Sequence, residues 1–173
     1  VSRVRSLEII LSLGNITATQ EDKDIWLQQK NEEYLSYLVT MDESEVLPGV
    51  LPVLNYLKQH KQKIVLGSAS KNAKPILEKA KVIDYFDAVV DGNDVSNAKP
   101  DPEVFLQGAK KVNFTPEKCI VFEDSVAGIQ AANIAGMTSV GIGDNEILKE
   151  AHFVFPDFTY IDLNFIDNLI NKE

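Results

Sequence analysis

Two adjacent carboxylates, Glu123 and Asp124, separate an apolar run from a helical pattern. The run at 119–122 is typical of a buried parallel strand, and apolar residues recur at helical spacing over 126–134. Both acids are therefore predicted at the carboxyl end of a parallel strand, where open α/β sheets bind ligands. Adjacent carboxylates repel each other unless a cation lies between them, and hard oxygen ligands suit Mg²⁺. The alternative is structural: Ser125 caps the helix, and the acids favour its positive end.

Two further predicted strand ends carry polar residues. Gly67-Ser68-Ala69-Ser70-Lys71-Asn72 combines hydroxyls with backbone N–H groups between a strand and a helix, which is typical of an anion-binding concavity. Ser70 or Asn72 could instead cap the helix, and the two roles can coexist. In the segment 97–102, Lys99 lies between a turn and a proline-stiffened helix start, which would direct its ammonium group. A solvated lysine is the alternative there.

Hydroxyl and N–H donors, a lysine and a carboxylate pair, each at a strand end, are the parts of a phosphate and Mg²⁺ site. Phosphoryl transfer requires such parts, because its transition state needs cationic neutralisation, oriented donors and a metal.

The elements that would position these residues indicate an α/β fold. Apolar runs alternate with helical patterns from Leu47 onward, which predicts βαβ units and a parallel sheet. Before Met41 the pattern contains no strand: a helix is predicted over 1–14, and a second begins at a Thr17/Gln20 capping box. We therefore predict a small α-helical subdomain over residues 1–45 and an α/β core over 46–173. The predicted strands are Lys63–Gly67, Ala88–Asp91, Cys119–Phe122, Thr138–Ile142 and Phe153–Phe155.

Composition excludes several functional classes. A net charge of -9 over 173 residues argues against a broad nucleic-acid footprint. No apolar run approaches membrane-spanning length, and no stretch has the pattern of a signal peptide. The single cysteine, Cys119, is expected to pack in an apolar strand, and this usage fits a reducing cytoplasm. We expect a monomer that binds a small molecule.

In order and spacing, the three strand-end motifs resemble those of the haloacid dehalogenase-like phosphotransferases, and within that superfamily those of the β-phosphoglucomutases. The resemblance covers essentially the whole chain and implies a Rossmann-like core with a small α-helical cap. It is carried by Val1-Ser2-Arg3 with Ser6-Leu7, Gln29-Lys30-Asn31, Gly67-Ser68-Ala69-Ser70-Lys71-Asn72, Lys99-Pro100-Asp101-Pro102 and Glu123-Asp124-Ser125-x-Ala127-Gly128-Ile129.

The resemblance implies a role for each matching residue. Ser68 and the Ala69 N–H would hold the transferred phosphoryl group, which Lys99 would neutralise. Glu123 and Asp124 would ligate Mg²⁺. The second, non-reacting phosphate and the sugar would be held by Arg3, Ser70, Lys71 and Asn72, with Lys30 touching the sugar. The residues alone favour solvated helix charges for Arg3 and Lys30, and only the resemblance reverses this interpretation.

The chain departs from the family at its nucleophile. The family's Asp-x-Asp-Gly motif supplies a nucleophilic aspartate and a general acid/base at the end of the first core strand. Asp22-Lys23-Asp24 is the only Asp-x-Asp in the sequence, and it follows charged residues rather than an apolar strand. The missing strand would lie at the sheet centre, between the strand ending at Gly67 and the one ending at Glu123. We therefore expect these residues to be an N-terminally clipped part of a longer protein.

Three functions are consistent with the sequence. The first is a Mg²⁺-dependent phosphomutase, which interconverts β-glucose 1-phosphate and glucose 6-phosphate through a bisphosphate and an aspartyl-phosphate enzyme. The second is a sugar-phosphate phosphatase on the same scaffold. The third is an inactive, phosphate-binding fragment.

If the protein consists of these 173 residues alone, intact-mass spectrometry will give 19.2 kDa. In that case we predict no phosphoryl transfer and poor stability, because two strand edges would stand unpaired. Transfer by a sample of that mass would contradict the prediction.

Overall fold

A computed structural model describes residues 3–171, so Val1 and Ser2 of the cap motif lie outside the described residues. The helices are α1 (Arg3–Leu13), α2 (Gln20–Thr40), α3 (Val50–Gln59), α4 (Ala73–Lys79), α5 (Glu103–Lys111), α6 (Val126–Ile134) and α7 (Leu163–Ile170). The strands are β1 (Val65–Gly67), β2 (Ala88–Val90), β3 (Ile120–Glu123), β4 (Thr138–Ile142) and β5 (Phe153–Phe155).

The first two helices contact each other, and α2 also contacts α4. The predicted Thr17/Gln20 capping box is wrong by two residues. Thr19 is the N-cap of α2: its hydroxyl accepts from the Asp22 N–H, and the Asp22 carboxylate accepts from the Thr19 N–H at 3.0 Å. Thr19 rather than Thr17 caps the helix because a carboxylate three residues later completes the reciprocal pair of hydrogen bonds at the positive end of the helix. Asp22 is thus a capping residue.

The strands form two parallel ladders, which confirms the predicted α/β class. In the first, β1 pairs with β2, with Val65 opposite Ala88. In the second, β4 lies between β3 and β5, with Glu123 opposite Gly141. Parallel strands need crossover connections: α4 lies in the one between β1 and β2 and α6 in the one between β3 and β4, whereas residues 143–152 join β4 to β5 without a helix.

A gap separates the two ladders. Between β1 and β3 lies a cavity of about 530 Å³, lined by apolar side chains from both strands and from α3, α5 and α7. Val65, Leu66 and Gly67 are therefore half-buried, although an apolar run such as Lys63–Gly67 is typical of a buried strand. The resemblance implies a further strand at this position, between the strand ending at Gly67 and the one ending at Glu123.

Helices pack on the ladders through small and branched residues. In α5, Gly108 lets the helix approach β1 so closely that an added Cβ would lie 3.1 Å from the Val65 side chain. Ile129 and Ala132 of α6 are fully buried, as is Val140 of β4. These contacts anchor the helices that begin or end at the polar strand ends. Within residues 3–171, none of the helices combines the length and apolarity needed to cross a bilayer.

We predict that Gly49→Ala will destabilise the fold by about 3 kcal/mol. Gly49 has a φ of 83°, and an added Cβ would lie 2.5 Å from the Phe158 carbonyl carbon. Gly136→Ala is the matched control, because Gly136 has a φ of 74° but nothing within 4 Å of the added Cβ. Urea unfolding should show the larger loss for Gly49→Ala; equal losses would mean that backbone strain alone matters.

Candidate active site

Lys99 lies at the centre of the candidate site, between the ends of β1 and β3. Its Nζ donates to Glu123 Oε2 at 2.6 Å and to the Gly67 carbonyl oxygen at 3.4 Å. The same Nζ is 4.6 Å from the centroid of the Phe105 ring. The side chains of Lys99 and Glu123 are only 12% and 9% exposed. Lys99 is therefore a directed, largely buried cation rather than a solvated one.

The Glu123 carboxylate also organises the start of α6. Its Oε1 accepts from the Ser125 hydroxyl at 2.8 Å, and the Ser125 hydroxyl accepts from the Gly128 N–H. A Cβ at Gly128 would lie 2.0 Å from Glu123 Cδ, so only glycine leaves room for the carboxylate at this helix start. The capping interpretation of Ser125 is therefore correct, and it coexists with a charged role for Glu123.

The two adjacent acids have opposite electrostatic environments. Burial of Glu123 opposes its ionisation, but the hydrogen bond and charge of Lys99, helped by the Ser125 hydroxyl, outweigh this and lower the pKa of Glu123. Desolvation raises the pKa of Asp124, and the neighbouring Glu123 raises it further. Glu123 is thus held ionised inside the site, while Asp124 is an exposed carboxylate that lacks a cation partner of comparable strength.

The loop after β1 is ordered by its own hydroxyls. Ser68 Oγ accepts from the Ser70 N–H, and Ser70 Oγ accepts from the Asn72 N–H, both at 3.1 Å. The Asn72 side chain makes no capping bond to α4, so the capping alternative fails for Asn72. Ser68 accepts a hydrogen bond with one lone pair and keeps its own proton to donate. Ala69 is exposed between these turns.

The turn after β2 braces this loop, and the sequence analysis missed it. Gly92 lies so close that an added Cβ would be 2.5 Å from the Ala69 carbonyl oxygen, and the Gly92 N–H donates to the Ser70 carbonyl. Asn93 Nδ2 donates to the Lys71 carbonyl at 3.2 Å. The Asp-Gly-Asn-Asp run was a turn signal, but sequence could not place that turn against the other loop.

Phe105 was also missed as a site residue. Its spacing in α5 marked it as a core position, and its ring does pack against the core cluster of Val121 and Met137. The same ring faces the Lys99 ammonium group. An apolar helical pattern gives no signal for such a cation–π contact.

A second cavity, of about 410 Å³, lies between the N-terminal helices and the loop after β1. It brings together two of the predicted phosphate-binding residues, Arg3 from α1 and Lys71 from the loop. Ser70, Asn72 and Lys30 are not among its lining residues, and Lys30 lies on the exposed surface of α2. The lining residues are Arg3, Val4, Leu27, Gln28, Asn31 and Lys71.

Glu123 and Asp124 could hold a hard cation only with other ligands. Within residues 3–171, no cluster of three or more histidine, cysteine or acidic side chains has the arrangement of a metal site. Two carboxylates nevertheless fit Mg²⁺, which keeps several waters and commonly shares ligands with substrate phosphate. The exposed Asp124 oxygen is the accessible ligand, since Lys99 and Ser125 already occupy the Glu123 oxygens.

Most of the sequence matches a known protein family. A model of the haloacid dehalogenase-like hydrolases matches residues 3–136, which include all three strand-end motifs. The chain belongs to the haloacid dehalogenase-like hydrolase family.

Relatives within the family include mutases and phosphatases. The chain is 36% identical over 156 residues to the β-phosphoglucomutase of Bacillus subtilis, covering 89% of this chain and 69% of that protein. A crystal structure of β-phosphoglucomutase from Clostridium difficile is 38% identical with a TM-score of 0.90, over 99% of this chain and 78% of that one. The phosphorylated carbohydrates phosphatase of Thermotoga maritima is 37% identical over 112 residues, covering 60% of this chain and 51% of that protein. The chain thus spans about half to four-fifths of the length of these relatives.

We predict that Asp124→Asn will raise the melting temperature of the metal-free protein slightly at neutral pH. The fold raises the pKa of Asp124, so its ionised form is less favourable in the folded than in the unfolded chain. The gain should vanish as pH falls below the ordinary aspartate range, where the carboxyl is protonated in both states. If Asp124 is a Mg²⁺ ligand, millimolar Mg²⁺ should raise the melting temperature of the wild type and should raise that of the variant less.

Differential scanning fluorimetry at several pH values, with and without Mg²⁺, measures both effects. Asp84→Asn is the control, because Asp84 is an exposed carboxylate outside the site. An unchanged response to Mg²⁺ in Asp124→Asn would exclude Asp124 as a ligand.

Proposed function

We propose that this chain is the larger part of a Mg²⁺-dependent phosphomutase, an isomerase that interconverts β-glucose 1-phosphate and glucose 6-phosphate through a sugar bisphosphate. The observation that carries the proposal is the position of Lys99, whose Nζ contacts the residue before Ser68 and the residue before Asp124. The three strand-end motifs therefore meet around one cation, as a site for a transferred phosphoryl group requires.

The chain's own residues would act by binding and neutralising the phosphoryl group. The Lys99 ammonium has three donors, of which Glu123 and Gly67 use two, so a third can be directed to a phosphoryl oxygen. The Ser68 hydroxyl proton and the Ala69 N–H would hold the other oxygens. Glu123 keeps Lys99 oriented and, with Asp124, would hold Mg²⁺, which supplies further neutralisation of phosphate charge when bound. The nucleophilic aspartate is not among these 173 residues.

The cavity beside Arg3 and Lys71 favours a mutase over a simple phosphatase. A bisphosphate intermediate must present one phosphate for transfer while the second is held elsewhere. Two cations from different elements, with no carboxylate among the lining residues, suit that second phosphate in a chain of net charge -9. Ser70 and Asn72 in the adjoining loop would also bind the second phosphate, and Lys30 would contact the sugar.

The proposal also assigns the two parts of the chain. Residues 1–45 would form part of a cap that carries Arg3, and residues 46–173 the core that carries the transfer site. The partner would be a small sugar phosphate. Similarity to the mutases of Bacillus subtilis and Clostridium difficile supports this substrate class.

The second candidate is a sugar-phosphate phosphatase. Its support is the relative from Thermotoga maritima, since both reactions need the same strand-end parts. The two differ in whether water or a second sugar phosphate accepts the phosphoryl group.

The test supplies β-glucose 1-phosphate, a trace of the bisphosphate and Mg²⁺ to the full gene product that contains this chain. We predict glucose 6-phosphate as the main product, measured by a coupled dehydrogenase assay, and loss of the reaction when EDTA removes Mg²⁺. Inorganic phosphate as the main product would favour the phosphatase. If neither glucose 6-phosphate nor inorganic phosphate forms, both proposals are contradicted.

A further inference from the structure

Asn31 of α2 makes a contact that the function above leaves unused. The Arg3 guanidinium donates through Nη1 to Asn31 Oδ1, joining the start of α1 to the middle of α2 across 28 residues of sequence. Both side chains line the cavity of about 410 Å³, and Lys71 lines it from the core. Among the described residues that line this cavity, Arg3 is the only cationic side chain from the two N-terminal helices, and Asn31 accepts its hydrogen bond.

The acceptor of the Arg3 hydrogen bond is a neutral amide oxygen rather than a carboxylate, and this affects anion binding. An amide oxygen fixes the guanidinium without neutralising it, so the remaining N–H donors keep their full charge for an anion. A carboxylate at the same place would form an ion pair with Arg3 and compete with a bound phosphate. Asn31 is also half-buried, whereas Arg3 is exposed and would otherwise sample many rotamers.

We infer that Asn31 is a positioning residue: it pre-orients the Arg3 guanidinium toward the cavity and so sets the affinity for the phosphate that is not transferred. The inference rests on the proposed function, because it takes the cavity to be the second phosphate site. Asn31 acts through Arg3 and does not itself contact the substrate.

The test is a double-mutant cycle in the full gene product that contains this chain, with binding of glucose 6-phosphate measured by isothermal titration calorimetry. Asn31→Ala should weaken binding about tenfold, the loss expected for one hydrogen bond to a charged group. Asn31→Asp should weaken it further through the competing ion pair. In an Arg3→Ala background, Asn31→Ala should have no additional effect.

Gln29→Ala is the matched control, because Gln29 is an exposed amide on α2 that does not line the cavity. It should bind as the wild type does. A merely structural role for Asn31 would lower the melting temperature and leave the charge of the substituent without effect on affinity, which would overturn the inference.

The remaining outcomes separate the inference from the proposed function. Normal binding by Asn31→Ala with weak binding by Arg3→Ala would overturn the positioning role and leave the mutase proposal intact. A loss from Asn31→Ala that persists without Arg3 would mean direct contact with the ligand and would also overturn it. Failure of the wild type to bind glucose 6-phosphate would contradict both.

Discussion

The buried ion pair between Lys99 and Glu123 is the interaction on which the arrangement of this chain depends. Among the residues that the structure describes, no strand pairing joins the two ladders, yet Lys99 reaches the end of β1 through the Gly67 carbonyl and the end of β3 through Glu123. Both charges are largely out of water, so removing either would leave the other uncompensated, at a cost of about 3 to 5 kcal/mol. One side chain thus ties the two halves of the sheet at their polar ends.

The same pair sets the electrostatics of the neighbouring acid. Desolvation raises the pKa of Asp124, and the hydrogen bond and negative charge of Glu123 raise it further, because Lys99 pairs with Glu123 and offsets this only in part. Asp124 is exposed and has no strong cationic partner, whereas the neighbouring Glu123 is largely buried and paired with Lys99. This combination suits a divalent cation that binds together with a phosphate. The geometry therefore assigns different tasks to two residues that are adjacent and chemically alike.

The candidate site depends on close backbone approaches as much as on charged side chains. Gly128 leaves room for the Glu123 carboxylate at the start of α6, and Gly92 lets one loop rest on the carbonyl of Ala69 in another. These contacts hold the strand ends at fixed distances from one another. A phosphoryl group needs such preorganised donors, because reorganising them during the reaction would cost part of the catalytic effect.

The sequence by itself determined the fold class, the strands and the identity of the strand-end motifs. Period-two and period-3.6 patterns are local, and turn residues such as those around Lys99 and Glu123 mark where elements stop, so α/β architecture and the family could be predicted. The helix predicted over 1–14 ends one residue earlier, at Leu13. The N-cap of α2 was misplaced because two threonines two residues apart offered similar signals.

Only the tertiary structure decided which partners these residues take. Gly92 against Ala69 and Asn31 beside Arg3 are contacts between segments far apart in the chain, and no local pattern encodes them. The contact of Lys99 with the Phe105 ring joins a loop to the helix that follows it, and it depends on how the core packs that helix. The half-buried state of β1 is also non-local, because burial depends on what lies across the gap. Local residue patterns specify the helices, the strands and the reactive groups. Packing between distant segments specifies which side chains surround each reactive group, and hence its ionisation and its hydrogen-bond partners.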